Sequence, residues 1–198
     1  MSIMWSEISN LGDAALTLPV ALTCAIWLAL SNRRLAVRWI VLLAAGMSLV
    51  GATKILYAGC GVEIPQFDFR VISGHTMLST SVWTVALSML WLAFRPGNAP
   101  GVAAGLAVGA VTAAARVFDH SHTIPEVVAG WLLGALVALV FLRAYVRAHK
   151  RSFSPRIAAV CLLLVSGIAY GHRAPFQQMI DTHSPQVCAF MRTSGDGF

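Results

Sequence analysis

Pro125-Glu-Val-Val-Ala-Gly130-Trp-Leu-Leu-Gly134-Ala-Leu-Val-Ala138-Leu-Val-Phe-Leu-Arg143-Ala-Tyr145 decides the fold class. Between Glu126 and Arg143 this run carries no charge. An α-helix needs roughly 20 apolar residues to cross the hydrocarbon core of a bilayer, and the run supplies them. Five further blocks repeat the pattern, at Ala14–Leu30, Ala36–Ala58, His75–Phe94, Gly101–Phe118 and Ile157–Tyr170. The first and last are the shortest, and Pro19 is expected to bend the first.

The whole chain agrees with its most apolar stretch. Of 198 residues, 58% are hydrophobic and 11% are charged, against about 25% charged in a soluble domain. Too little polar surface remains to cover a water-soluble globule. The expected fold is therefore all-α: a polytopic six-transmembrane-helix bundle, with residues 1–198 forming a single domain. Small residues recur at four-residue spacing in the fourth and fifth blocks, as Gly101, Gly105, Gly109 and as Gly130, Gly134, Ala138. That spacing predicts close helix packing in lipid, and no chemistry is assigned to it. Trp5, Trp27, Trp39, Trp83, Trp91 and Trp131 are read as interface or packing residues.

Charge sets the expected orientation. The net charge of +6 comes from clusters at helix ends, with no basic stripe along a soluble face, so no nucleic acid partner is expected. With six spans, one side carries Lys54, Arg70, Arg116, Arg173 and Arg192. The other carries Arg33, Arg34, Arg38, Arg95, Arg143, Arg147, Lys150, Arg151 and Arg156. The richer side is expected to be cytoplasmic. That places both termini on the periplasmic face of the inner (plasma) membrane. All eight acidic residues then fall on the outer side or at its helix ends. Glu7 and Asp13 precede the first block and the arginines follow it, the reverse of a secretory signal, so no cleavable leader is expected. Cys24 and Cys161 fall inside apolar blocks and read as packing residues. Cys60 and Cys188 share the outer side, where a disulfide between them is possible in an oxidising compartment.

Two outer-side segments are polar where the rest of the chain is apolar. Arg70-Val-Ile-Ser73-Gly74-His75 opens the third block. Arg116-Val-Phe-Asp119-His120-Ser121-His122-Thr-Ile-Pro125-Glu126 joins the fourth to the fifth. Ser73 and Gly74 precede a helix start, where unpaired N–H groups favour an anion. Lys54 and Arg116 bring positive charge to the same depth, and arginine can grip phosphate oxygens two at a time. His122 lies four residues before Glu126, which on a helical turn puts ring and carboxylate on one face. A carboxylate on one ring nitrogen fixes the tautomer and leaves the other nitrogen as a nucleophile. A second imidazole, His75, can protonate a leaving oxygen. His120 is the rival nucleophile but has no carboxylate four residues on. Thr123-Ile-Pro125-Glu126 also reads as a helix capping box, a role compatible with the first. Asp119, Asp68 and Glu63 read as solvated loop carboxylates, and His172, Asp181 and His183 do not have the spacing of a metal site.

These segments resemble the signatures of the type 2 phosphatidic acid phosphatase superfamily. Ser73-Gly74-His75 is similar to its second signature. Arg116, His122 and Glu126 match its third, Arg-x5-His-x3-Asp, with Glu in the Asp place, and Lys54 resembles the lysine of the first. The resemblance implies a membrane lipid phosphate or diphosphate phosphatase, independent of metals and cofactors, with its site at the outer face. It implies His122 as nucleophile forming a phosphohistidine, Glu126 as its orienting partner and His75 as general acid. Lys54, Ser73, Gly74 and Arg116 would hold the phosphoryl oxygens. Gly61-Val62 stands where the first signature carries Arg-Pro, Ala115 stands for a serine, and Arg70 is the candidate for the missing charge. The alternatives are a lipid-to-lipid phosphotransferase and an inactive lipid-phosphate binder or transporter. The sequence does not name the lipid.

Overall fold

A computed structural model describes residues 2–148 and 155–169. Among these residues seven α-helices follow one another: α1 (Ser2–Ser9), α2 (Ala14–Ser31), α3 (Arg33–Cys60), α4 (Gly74–Phe94), α5 (Ala99–Phe118), α6 (Ile124–Ala148) and α7 (Pro155–Ala169). Every apolar block of the sequence is helical over its described residues. Among the described residues, five stretches are long and apolar enough to cross a membrane: Glu7–Ser31, which takes in α2, and helices α3 to α6. The sixth block is met by the shorter apolar helix α7, of 15 residues as described. Cys188, His172, His183 and Asp181 lie outside the described residues, as does the proposed partner end of a Cys60–Cys188 bridge.

Local signals explain the helix boundaries. Asp13 caps α2, its Oδ1 accepting from Ala15 N at 2.8 Å, and Asn32 caps α3 by accepting from Arg34 N at 3.1 Å. Gly61 ends α3 in the left-handed region, with φ of 67°, where a Cβ would be strained. Helix α2 runs through Pro19 without a break.

Helix α4 is the central post. Its apolar window is 61% buried, against 28% for α5, and it packs against α2, α3, α5, α6 and α7. Its buried face is small and hydroxylated: Thr76, Ser79, Thr80, Ser81, Thr84 and Ser88 are all wholly buried. Opposite it stand the glycines. A Cβ on Gly105 would lie 2.2 Å from Thr84 Cα, one on Gly109 2.2 Å from Thr80 Oγ1, and one on Gly134 2.6 Å from the Met77 carbonyl oxygen. The four-residue stripes thus bring α5 and α6 onto α4 at backbone distance, as their spacing predicts. Three tryptophans fasten neighbours through backbone carbonyls. Trp39 Nε1 donates to Ala21 O, Trp83 Nε1 to Leu11 O and Trp131 Nε1 to Leu106 O, at 2.9–3.1 Å.

The alternation of the helices gathers the end of α3 and the starts of α2, α4 and α6 with the end of α5. That end carries Lys54, Arg70, Arg116 and all of the carboxylates among the described residues. The opposite end carries Arg34, Arg38, Arg143 and Arg147 around a separate cavity.

Candidate active site

A cavity of about 780 Å³ opens at the carboxylate-bearing end, lined by Lys54, Tyr57, Arg70, His75, Arg116, His120, His122 and Glu126 among others. The path from sequence to site begins at the end of α5. The Arg116 carbonyl accepts from both Ser121 N and His122 N, at 3.1 and 3.2 Å. This turn, in which His120 takes a positive φ of 53°, returns the chain so that residues 116 and 122 face one space. Helix α6 then begins and brings Glu126 round by one turn.

Glu126 is the organising group. It is 4% exposed, and its carboxylate has a donor in every direction. Oε2 meets His122 Nδ1 at 2.6 Å and Thr123 N at 3.2 Å. Oε1 accepts from Arg70 N at 3.1 Å and Val71 N at 3.2 Å. Glu126 thus makes the carboxylate half of a capping box, on Thr123 N, while the Thr123 hydroxyl donates to Asp68 O at 2.8 Å, and the same Glu126 oxygen meets the His122 ring. Its backbone carbonyl also accepts from Ser73 N. The additional methylene that distinguishes Glu from Asp lets the carboxylate reach the 70–71 backbone while still holding the ring. A buried carboxylate is tolerated because hydrogen bonds replace its lost water.

The His122 side chain is 9% exposed. Burial pushes its pKa down to about 4, and the positive charges of Arg116 and Lys54 act the same way; the Glu126 bond opposes them. The ring is thus neutral near pH 7. Arg70 is stabilised as a cation by its hydrogen bond to the Tyr57 side chain, and it also stands 3.6 Å from the exposed Asp68.

Arg116 Nη1 donates to Ser9 Oγ at 3.1 Å. Its Nε is buried and has no hydrogen-bond partner among the described residues. An unmatched guanidinium donor beside a cationic cavity suits an oxyanion. His75 lines the cavity with its side chain one-third exposed. Ser73 and Gly74 do not line it. Ser73 is wholly buried with its hydroxyl on Thr76 Oγ1 at 3.0 Å, so its side chain is turned from the space that the resemblance assigned it. Gly74 sits where an added Cβ would come 4.0 Å from Lys54 Nζ. At this helix start it is the backbone N–H groups, by position, that remain to meet an anion.

Three neighbours were not singled out by sequence. Tyr57 lines the cavity and pairs with Arg70. Thr53 Oγ1 accepts from Ile72 N at 3.2 Å. Asp13 Oδ2 lies 3.5 Å from His75 Nε2. Tyr57 had a legible signal, one turn after Lys54 on the same helix. Thr53 and Asp13 act across the fold and had none.

Residues 62–150 match the model of the PAP2 superfamily. A Klebsiella pneumoniae protein described as "Uncharacterized 22.5 kDa protein in cps region" is 32% identical over 187 residues, covering 89% of this chain and 88% of the relative. No solved structure matches the chain. The matched span contains the turn from Arg116 to Glu126, the Ser73-Gly74-His75 helix start and the central helix post. With its apolar helices and this cationic, histidine-bearing end, the chain is a membrane protein that belongs to the PAP2 superfamily, a group that includes phosphatases.

Proposed function

We propose that the protein is a lipid phosphate or diphosphate phosphatase that works through a phosphohistidine on His122. The observation that carries this reading is the 2.6 Å contact between His122 Nδ1 and Glu126 Oε2 inside a cavity lined by Lys54, Arg70 and Arg116. The contact assigns the proton to Nδ1, which leaves the Nε2 lone pair to attack phosphorus. Arg116 and Lys54, with Arg70 in place of the absent Arg-Pro, neutralise the phosphoryl oxygens as the attack proceeds. The Gly74 and His75 backbone N–H groups add to that cradle.

The electron count closes over two steps. In the first, the His122 N–P bond forms while the ester or anhydride P–O bond breaks. His75, entering as imidazolium, gives its proton to the leaving oxygen. In the second, neutral His75 takes a proton from water, the hydroxide oxygen bonds to phosphorus, the N–P bond breaks and phosphate leaves. Ser73 keeps a supporting role through its backbone. The site faces the periplasm in this reading, because the arginine-rich opposite end stays cytoplasmic. The lipid tail remains among the exposed apolar side chains of the bundle.

The test is direct. Purified protein is given a panel of polyprenyl diphosphate, phosphatidylglycerol phosphate, phosphatidic acid and phosphorylated lipid A, and released phosphate is measured. Activity on at least one, together with a loss of more than about 1000-fold in His122→Ala and an acid-labile, alkali-stable phosphoryl group on the wild-type chain, is expected. Normal turnover by His122→Ala would overturn the mechanism. A labelled lipid diphosphate that passes its phosphoryl group to a second lipid with little free phosphate would identify a transferase.

A further inference from the structure

The stretch from the last residue of α1 to the cap of α2, residues 9–13, lies outside the span that matches the family model, yet it reaches the site at two points. Ser9 Oγ accepts from Arg116 Nη1. Asp13 Oδ2 faces His75 Nε2 at 3.5 Å. The approach is built in, not incidental. Gly12 packs so closely on the first turn of α4 that an added Cβ would lie 2.5 Å from the His75 carbonyl oxygen. The Leu11 carbonyl accepts from Trp83 Nε1 at 2.9 Å, which anchors the segment along α4.

Asp13 is only 7% exposed. One of its oxygens is committed to capping α2, through Ala15 N. The other is the one turned to His75. A carboxylate so buried is costly unless a donor or a cation faces it. The imidazole meets that need, and Arg116 adds attraction from the side.

From this geometry we infer that Asp13 is the positioning residue of His75, so that the site holds two histidine–carboxylate pairs with opposite tasks. The inference rests on the phosphatase reading for its chemistry, though not for the pairing itself. Glu126 orients a neutral ring for attack. Asp13 faces Nε2 of the other ring, which directs Nδ1 to the leaving oxygen and stabilises the imidazolium that must give up a proton. Asp13 stays ionised throughout. The proton that leaves His75 goes to the departing oxygen as the P–O bond breaks and the His122 N–P bond forms.

Asp13→Asn isolates this role from the helix cap, since Asn caps a helix as well as Asp does. Two measurements on purified full-length protein read it. The first is the 15N spectrum of His75, assigned by comparison with His75→Gln. Wild type should carry hydrogen on Nε2, and Asp13→Asn should lose that preference; an unchanged spectrum would overturn the pairing. The second is turnover of dodecyl phosphate, whose alkoxide leaving group needs a proton, beside 4-nitrophenyl phosphate, whose aryloxide does not. Asp13→Asn should lower kcat/KM, which reads the steps through departure of the leaving group, by about 30-fold or more on the first and by less than about threefold on the second. Equal falls on both would mark a purely structural role and also overturn the inference. A wild-type chain with the expected His75 spectrum but no phosphatase activity would leave the pairing standing and remove the phosphatase reading instead.

Discussion

At the scale of single residues, the site divides its labour through charge. His122 is surrounded by cations that disfavour its protonated form and one carboxylate that favours it. The consequence is measurable by histidine NMR titration. His122 should titrate near pH 4 instead of near its ordinary value of about 6.5. Arg116→Ala removes a repelling cation and should raise that pKa; Glu126→Gln removes the attracting carboxylate and should lower it further. The same depression has a stability sign. The unfolded chain binds this proton at higher pH than the folded one, so stability is intact above about pH 6.5 and is lost progressively as pH falls toward 4. The Arg116, His122 and Glu126 set was legible because one turn and one helical step connect them. Asp13 was not legible, because its contact with His75 spans an intervening pair of helices and its local setting reads as a helix cap. The partner of the Ser73 hydroxyl was not legible for a related reason: a Ser-Gly pair at a helix start suits an anion, and the contact with Thr76 Oγ1 is made only once the helix forms.

At the scale of elements, packing distance is set by what is missing from side chains. Gly105 faces Thr84 Cα at 2.2 Å from where a Cβ would sit, and both atoms belong to backbones that cannot turn aside. Gly105→Ala should therefore cost about 1–3 kcal/mol in unfolding experiments in detergent, the range for overpacked cores. Gly51→Ala is the contrast. It lies in α3 with nothing within 4 Å of the added carbon, and it should be neutral or stabilising by up to about 1 kcal/mol through helix propensity. The glycine stripes were legible as packing surfaces because the four-residue period of a helix face is visible in a string. Which helix each stripe meets was not, since every apolar block offers a comparable partner. Helix α4 is the common partner because its hydroxyl-bearing face is narrow, and the chain's polar mid-span residues mark that face in retrospect.

For the molecule as a whole, charge separates end from end. The described carboxylates share the site end, while Arg34, Arg38, Arg95, Arg143 and Arg147 occupy the other. Single-cysteine variants, built without the native cysteines, test the orientation that this implies. Val62→Cys and His120→Cys should react with a membrane-impermeant maleimide on intact cells; Arg95→Cys should react only after permeabilisation. The reverse pattern would turn the site to the cytoplasm. The helical blocks were legible from hydropathy over the described residues, the sixth among them as the shorter helix α7. The two ends also differ in how they come into being. The Glu126 carboxylate ties together backbone at positions 70 and 71, the ring at 122 and its own helix start. A nascent chain inserted only as far as α5 would already own Arg70, Arg116 and His75, yet the backbone at 70–71 would be unfastened. Docking of α6 brings the Glu126 carboxylate to that backbone and to the ring at 122, so this wall of the cavity takes its form only with the completion of assembly.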